Sequence, residues 1–384
     1  MPADERGDKT PRPALTEQPP GSDARDGRET LAQHRSSGKG VKPNHPAARA
    51  PSLGRRSIGL SLADVCQHSA VNHGVEYRSQ VERAATGETL VEHLARRYPH
   101  FSRDEWISRV QAGRVLVDGR PVAIDEVVRA GQWVSWLRPA WDEPIAPLSF
   151  AILYREADLL AVAKPRGLPT LPAGGLFLEH TLLSLVRRHF PAANPLHRLG
   201  RGTSGIVLFA TSRARCALVA EQWRRRAVRK VYRALVAGSP PADTFRIETP
   251  IGPVPHQVLG TVHAASPSGK ASRSDVKVLE RREGCAVVEV TIATGRPHQI
   301  RIHMAAAGHP LVGDPLYGPG GAPREGAGAV PGQVGYHLHA GLLGFSHPAT
   351  GAWTEVTCGP PPVLRVASDG SCSRLKIENS DSTG

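Results

Sequence analysis

Apolar positions first fall into a regular pattern near Glu88, where Leu90, Leu94 and Tyr98 recur at helical spacing with Arg96 and Arg97 between them. Ser102 and Glu105 stand three apart as a capping box, ahead of Trp106, Ile107 and Val110, and Gly113 closes this second helix. Arg114 to Arg120 then reads as a short strand entering the Asp118-Gly119 turn, and Val122 to Trp136 as extended chain broken at Gly131. A small module of two helices and a hairpin is therefore predicted over residues 85–138.

Pro139 to Pro147 is a Pro- and Trp-containing connector, too short to fold alone. Beyond it, Val- and Ile-rich runs predict strands at Leu159 to Ala163, Gly205 to Ala210, Val231 to Ala237, Asp275 to Leu279 and Val287 to Ile292. Helical patterns occupy Thr181 to His189, Arg213 to Arg224 and His298 to Ala307, the last closed by Gly308. The two kinds do not alternate, which predicts an α+β domain over 148–362, with a mixed or antiparallel central sheet and flanking helices. Pro319 to Gly335 is rich in Gly and Pro and is expected to be a mobile surface loop. Residues 1–70 and 367–384 show no sustained period and few apolar positions, as in a disordered arm and tail.

Composition changes this picture in one respect. Lys and Arg number 48 against 35 Asp and Glu, a formal charge of +13, which favours a polyanion such as structured RNA over a neutral partner. No run approaches the roughly 18 apolar residues a spanning helix needs, and the polar start has no signal-peptide pattern, so a cytoplasmic location is expected. The 5 cysteines lack any C-x-x-C pair, which argues against a disulfide framework or zinc site. No heptad repeat points to an obligate assembly, and a monomer is the default.

Generic chemistry is absent. No phosphate loop, dinucleotide fingerprint or H-E-x-x-H helix occurs, so no nucleotide cofactor and no metal are expected. His298, His303, His309, His337 and His339 lack a carboxylate or cysteine at ligand spacing and are read as core or RNA-facing histidines. Ser204, in Gly202-Thr-Ser-Gly205, has the wrong spacing for a nucleophile elbow and is read as a turn residue.

Four segments are more specific: Ala163-Lys-Pro-Arg-Gly-Leu-Pro169, His197-Arg-Leu-Gly-Arg-Gly-Thr-Ser-Gly205, Arg229-Lys-Val-Tyr-Arg-Ala-Leu-Val236, and Gly295-Arg-Pro-His-Gln-Ile-Arg-Ile-His303 continuing through Gly308-His-Pro-Leu-Val-Gly-Asp-Pro-Leu-Tyr-Gly318. In this order they resemble the RluA-type RNA pseudouridine synthases. The resemblance implies cleavage of a uridine N1 glycosidic bond, rotation of the base and rejoining through C5, in ribosomal or transfer RNA and without a cofactor. The target base must leave its stack, at a cost of a few kcal/mol offset by contacts to the flipped nucleotide. Tyr232 matches the family's active-site tyrosine and Arg301 the basic residue that pairs with its catalytic aspartate. Arg198 and Arg201 match the loop around the extruded base, with His298 and Gln299 as RNA-facing or orienting residues. Residues 85–138 are similar to a ribosomal-protein-S-four-like module, which would place Arg103, Arg109, Arg114 and Arg120 on an RNA face.

The chain departs from this pattern at Gly200, where the family carries its catalytic aspartate, and at Pro297, where a threonine is common. Glycine has no side chain to act as nucleophile or base, and loss of such a group commonly removes several orders of magnitude in rate. It would also leave Arg301 without a carboxylate, a costly state if buried. Asp158, Glu289 and Asp275 are poor replacements by position. Asp314 precedes a proline and is expected to shape a loop. A working synthase, a catalytically impaired RNA-binding pseudoenzyme and a plain basic RNA binder therefore compete, in that order.

Overall fold

Thr89 and Ser102 begin the two helices near the start of the fold in the same way. Each side chain accepts from the backbone N–H three residues on, and Glu92 or Glu105 closes the capping box. These caps open α1 (Leu90–Arg97) and α2 (Arg103–Gln111). The computed structural model describes residues 71–98, 101–172, 175–256, 260–324 and 329–369; the expected arm over 1–70 and the tail from 370 lie outside them. Among the described residues two compact units form, 71–148 with 171–185, and 149–170 with 186–369.

In the first unit β1 (Val75–Gln80), β2 (Val115–Val117), β3 (Arg120–Pro121) and β4 (Trp133–Arg138) pair in the order β1-β4-β2-β3, all antiparallel. Strand β1 lies before the predicted start of the module and went unread, because its half-exposed Val-Glu-Tyr-Arg pattern becomes a strand only by pairing with β4. Leu90, Leu94, Trp106, Val115 and Val134 form the core. The connector after β4 does more than link. Buried Glu143 accepts from the backbone N–H groups of Leu178, Glu179 and His180 and from Asn72 Nδ2, so one carboxylate clips three stretches of this unit together.

The second unit is built on a ten-stranded sheet. Its strands are β5 (Ala151–Glu156), β6 (Leu159–Lys164), β7 (Asn194–Pro195), β8 (Thr203–Ala210), β9 (Arg229–Ala237), β10 (Thr244–Ile247), β13 (Ser274–Arg282), β14 (Cys285–Ile292), β15 (Leu338–Ser346) and β16 (Trp353–Thr357), while β11 (Ile251–His256) and β12 (Gly260–Ala265) form a separate hairpin. The main order is β10-β13-β14-β9-β15-β8-β6-β5. Only the β15–β8 pairing is parallel, so the sheet is mixed and the class is α+β, as the pattern predicted. Beyond α2 the chain forms the helices α3 (Leu182–His189), α4 (Arg213–Arg224) and α5 (Gln299–Ala306).

Three expectations need correction. Ser204 is not a turn residue: it sits in β8, and its Oγ bonds His339 Nδ1 at 2.9 Å. The Gly- and Pro-rich stretch after Tyr317 is not a simple surface loop, since Gly321 and Ala329 are buried and Pro331 offers its carbonyl to Arg301. Residues 367–369, assigned to the tail, form a short 3-10 turn in which Asp369 takes Arg233 in two hydrogen bonds of 2.6 and 2.7 Å.

Candidate active site

Strands β6 and β8 lie side by side, and the loops that leave and enter them are joined by hydrogen bonds from one side chain and one backbone N–H. Thr170 Oγ1 donates to the Leu199 carbonyl and accepts from the Leu199 N–H, while Gly167 N–H donates to the Arg201 carbonyl at 2.8 Å. Lys164 is 1% exposed, and its Nζ reaches the carbonyls of Pro165, Leu168 and Arg201 at 2.8, 2.6 and 3.4 Å. Burial, followed by the Arg201 charge, lowers its pKa to about 7. Three carbonyls match the three protons of an ammonium and act against that shift. Lys164 thus ties the first segment to the second, a role its sequence position did not reveal.

At the centre of this second loop Gly200 is exposed and its φ is not in the left-handed region. No backbone strain therefore requires glycine there. A Cβ at this position would instead come within 3.1 Å of the Tyr336 hydroxyl. Upstream, His197 is a structural group: its Nε2 accepts from Leu208 N–H and its ring stacks on Trp223 at 5.3 Å. Burial and then the Lys230 charge lower its pKa to about 4, keeping it neutral.

Tyr232 sits in β9 opposite Val290 of β14 and Ala340 of β15. Burial pushes its phenol up to about 12, so the hydroxyl stays protonated at neutral pH. Lys230 shares its face two residues earlier, its pKa lowered by burial and then by Arg226.

Arg301, on α5, is 2% exposed, yet it does not lack a carboxylate as the sequence suggested. Asp314 faces it with two hydrogen bonds, Nε to Oδ2 and Nη2 to Oδ1, both 2.7 Å. The same Oδ1 accepts from the N–H groups of Leu316 and Tyr317. The Asp-Pro turn therefore does shape its loop, and in doing so aims the carboxylate at Arg301. Burial raises the Asp314 pKa, but the Arg301 contacts outweigh it and hold the group below its ordinary range. Burial likewise works against the Arg301 charge, and Asp314 overcomes it, leaving the guanidinium firmly charged. Its Cζ lies 4.9 Å from the ring centroid of Tyr317 and 4.3 Å from that of Tyr336. Asp158, Asp275 and Glu289 take no part in this pair.

His298 is the N-cap residue of α5, with φ 55° and ψ 20°, in the left-handed region that histidine enters more readily than most side chains. The Tyr317 hydroxyl donates to the His263 carbonyl, so His298 Nδ1–H must donate to the Tyr317 oxygen, which leaves Nε2 as a lone-pair acceptor. Burial, with Arg301 as the next cause, lowers the His298 pKa to about 3. Gln299 is a different case from its expected RNA-facing role. It is 3% exposed and uses both ends internally, accepting from Thr294 Oγ1 and Arg296 N–H and donating to the Arg273 carbonyl and Ser274 Oγ. It fixes the approach to α5.

Arg198 is exposed, and Arg201 is partly buried with Nε on the Gly167 carbonyl. In the first unit Arg103 and Arg114 are exposed, and Arg120 pairs with Glu126 at 2.8 Å. Arg109 does not join an RNA face: its Cζ lies over the rings of Phe101, Trp106 and Trp136 at 3.9, 4.6 and 4.9 Å. His303 and His339 are core histidines, bonded at both ring nitrogens. A cavity of about 360 Å³ lined by Asp243, Thr244, Lys277 and Arg281 lies along β10 and β13 and includes no residue of the four segments.

Residues 158–306 match the RNA pseudouridylate synthase family profile. An uncharacterized RNA pseudouridine synthase of Synechocystis sp. is 40% identical over 72% of this chain and 95% of its own length. RNA pseudouridine synthase 5 of Arabidopsis thaliana is 37% identical over 77% of this chain and 95% of its own. Among solved structures, human RNA pseudouridylate synthase domain containing 1 is 28% identical over 58% of this chain and 89% of its own, with a TM-score of 0.47. The chain belongs to the RNA pseudouridine synthase family.

Proposed function

We propose that this protein isomerises uridine to pseudouridine in structured RNA, ribosomal or transfer, as a RluA-type synthase acting in the cytoplasm without a cofactor. The observation that carries this reading is the buried Arg301–Asp314 pair, held ready between two tyrosine rings in the midst of the family's segments. A charge pair fixed by two parallel hydrogen bonds, with its carboxylate also held by two backbone N–H groups, is the kind of preorganised electrostatics that can meet charge developing during reaction. Tyr232 stacks on the extruded base with its neutral hydroxyl near C5, Arg301 stabilises the reacting nucleotide, and exposed Arg198 holds the RNA where the base has left. Residues 85–138 act as a ribosomal-protein-S-four-like module whose Arg103, Arg114 and Arg120 contact phosphates, and the chain works as a monomer.

Gly200 favours a second reading, a catalytically impaired protein that captures structured RNA through the same surface. Incubating purified protein with uridine-labelled transfer and ribosomal RNA, then mapping pseudouridine at nucleotide resolution, separates the two. Product at a defined uridine is expected. Tight, salt-sensitive binding with no product on any RNA would establish the pseudoenzyme instead.

A further inference from the structure

The space beside Gly200 is bounded on one side by a residue that lies outside the four segments. Tyr336 is 2% exposed. Cβ atoms built at Gly200 and Gly202 would come within 3.1 Å of its hydroxyl and 2.8 Å of its Cζ respectively. A side chain at 202 would strike the ring itself, whereas one at 200 would press on the hydroxyl at a tight contact that a shift of a few tenths of an ångström relieves. Tyr336 therefore requires glycine at 202 and crowds position 200, where φ makes no demand of its own.

The other contacts of Tyr336 come from separate segments. Its hydroxyl lies 3.3 Å from Thr203 Oγ1 in the second segment, and its carbonyl accepts from Arg166 Nε in the first at 3.2 Å. Its ring carries the Arg301 guanidinium of the fourth at 4.3 Å. The hydroxyl alone, with Thr203 as its partner, would mark an ordinary buried tyrosine. This one joins the bare loop at 200–202 to the buried charge pair.

We propose that Tyr336 is a positioning residue of the synthase reaction, its hydroxyl taking the place of a side chain at residue 200 and its ring fixing Arg301 against the loop that meets the substrate. The inference rests on the synthase reading above. A group of this kind acts through geometry, and a displacement of about 1 Å can cost on the order of 100-fold in rate. Glycine at 200 is, on this account, one half of a matched pair.

The test uses the full chain and pseudouridine formation under single-turnover and steady-state conditions. Tyr336→Phe keeps the ring and removes only the hydroxyl. It should lower kcat by on the order of 100-fold, as for a misplaced reacting group, while KM and Tm stay close to wild type. Adding Gly200→Ser to that variant returns a hydroxyl to the vacated space and should recover about tenfold of kcat, the scale of one modest hydrogen bond. Gly200→Ala in the otherwise unchanged protein should lower Tm through its 3.1 Å contact, and Tyr336→Phe should relieve part of that loss. Wild-type kcat in Tyr336→Phe would overturn the inference, as would a fall in kcat matched by a fall in Tm that Gly200→Ser leaves unchanged. If the wild-type protein forms no product, the synthase reading itself fails, an outcome distinct from either.

Discussion

Among the described residues two arginines lie over more than one aromatic ring, and they differ in what stands at the far end of the guanidinium. Arg301 has Asp314 in two hydrogen bonds of 2.7 Å, and the pair raises its already high pKa despite burial. Arg109, in the other unit, has Glu105 no closer than 3.7 Å, and its Nη1 is buried without a hydrogen-bond partner. Burial lowers its pKa, and the nearby Arg138 adds to the shift against the pull of Glu105. The indole N–H groups of Trp106 and Trp136, beside it, are also buried without partners. Aromatic enclosure alone therefore makes an arginine part of the packing. Enclosure plus a bidentate carboxylate makes it a fixed charge that chemistry can use.

The comparison breaks most severely at Asp314. Asp314→Asn leaves the Arg301 charge buried and uncompensated, and should cost about 3–5 kcal/mol of stability, the usual result of removing one partner of such a pair. Chemical denaturation reads this directly. A loss below about 1 kcal/mol would show that solvent reaches Arg301 and that the pair is of the surface kind. Arg301→Lys is next in size. It keeps the charge but cannot make two parallel hydrogen bonds or stack between Tyr317 and Tyr336, so pseudouridine formation should fall by on the order of 100-fold with a smaller change in Tm. Activity near wild type would mean that the site uses only the charge of Arg301.

Much of this comparison could be read from the sequence, and the remainder could not for definite reasons. Ser102 and Glu105 announced α2 because a capping box is local. The sheet class followed from Val- and Ile-rich runs that fail to alternate with helices. Asp314 was read correctly as a turn residue, and its second contact was missed because Arg301, 13 positions away, reaches it only once α5 has packed. Tyr336 stood in a stretch of Gly and Pro with no periodic signal, and its meaning comes from Arg166, Gly200 and Arg301, all remote in sequence. Arg109 was placed on an RNA face by the resemblance to the ribosomal-protein-S-four-like module. The cluster of Phe101, Trp106 and Trp136 beneath it was visible only as separate aromatics.

Acid should weaken the unit that carries Arg301. His298 and His197 have folded pKa values of about 3 and about 4, both below the ordinary value near 6.5. Between those limits the unfolded chain binds protons that the folded chain refuses, so stability falls as pH drops from about 6.5 toward 4. Asp314 acts in the same direction at lower pH: its depressed pKa gives stability that is present above the unfolded value near 3.9 and lost as pH falls through the folded one. Tm measured from pH 7.5 to about 4 should therefore decline, and His197→Asn should flatten part of the decline. A wild-type curve flat across that range would mean that these imidazoles are hydrated.

The smallest effect is expected at Arg109, and it carries the other half of the comparison. Replacing a buried, poorly paired charge by an apolar side chain of similar volume is often neutral or stabilising. Arg109→Met keeps contact with Phe101, Trp106 and Trp136 and removes an N–H that has no acceptor, so stability should change by less than about 1 kcal/mol in either direction. Affinity for structured RNA, measured at a fixed salt concentration, should stay within about twofold of wild type, because a caged guanidinium neutralises no phosphate. Arg114→Met, at an exposed position of the same unit, should weaken binding and reduce its salt dependence by about one counterion. If Arg109→Met instead weakened RNA binding as much as Arg114→Met, the aromatic cage would have to open toward the RNA. Arg109 would then be a ligand contact, and the distinction between the two enclosed arginines would be one of occupancy.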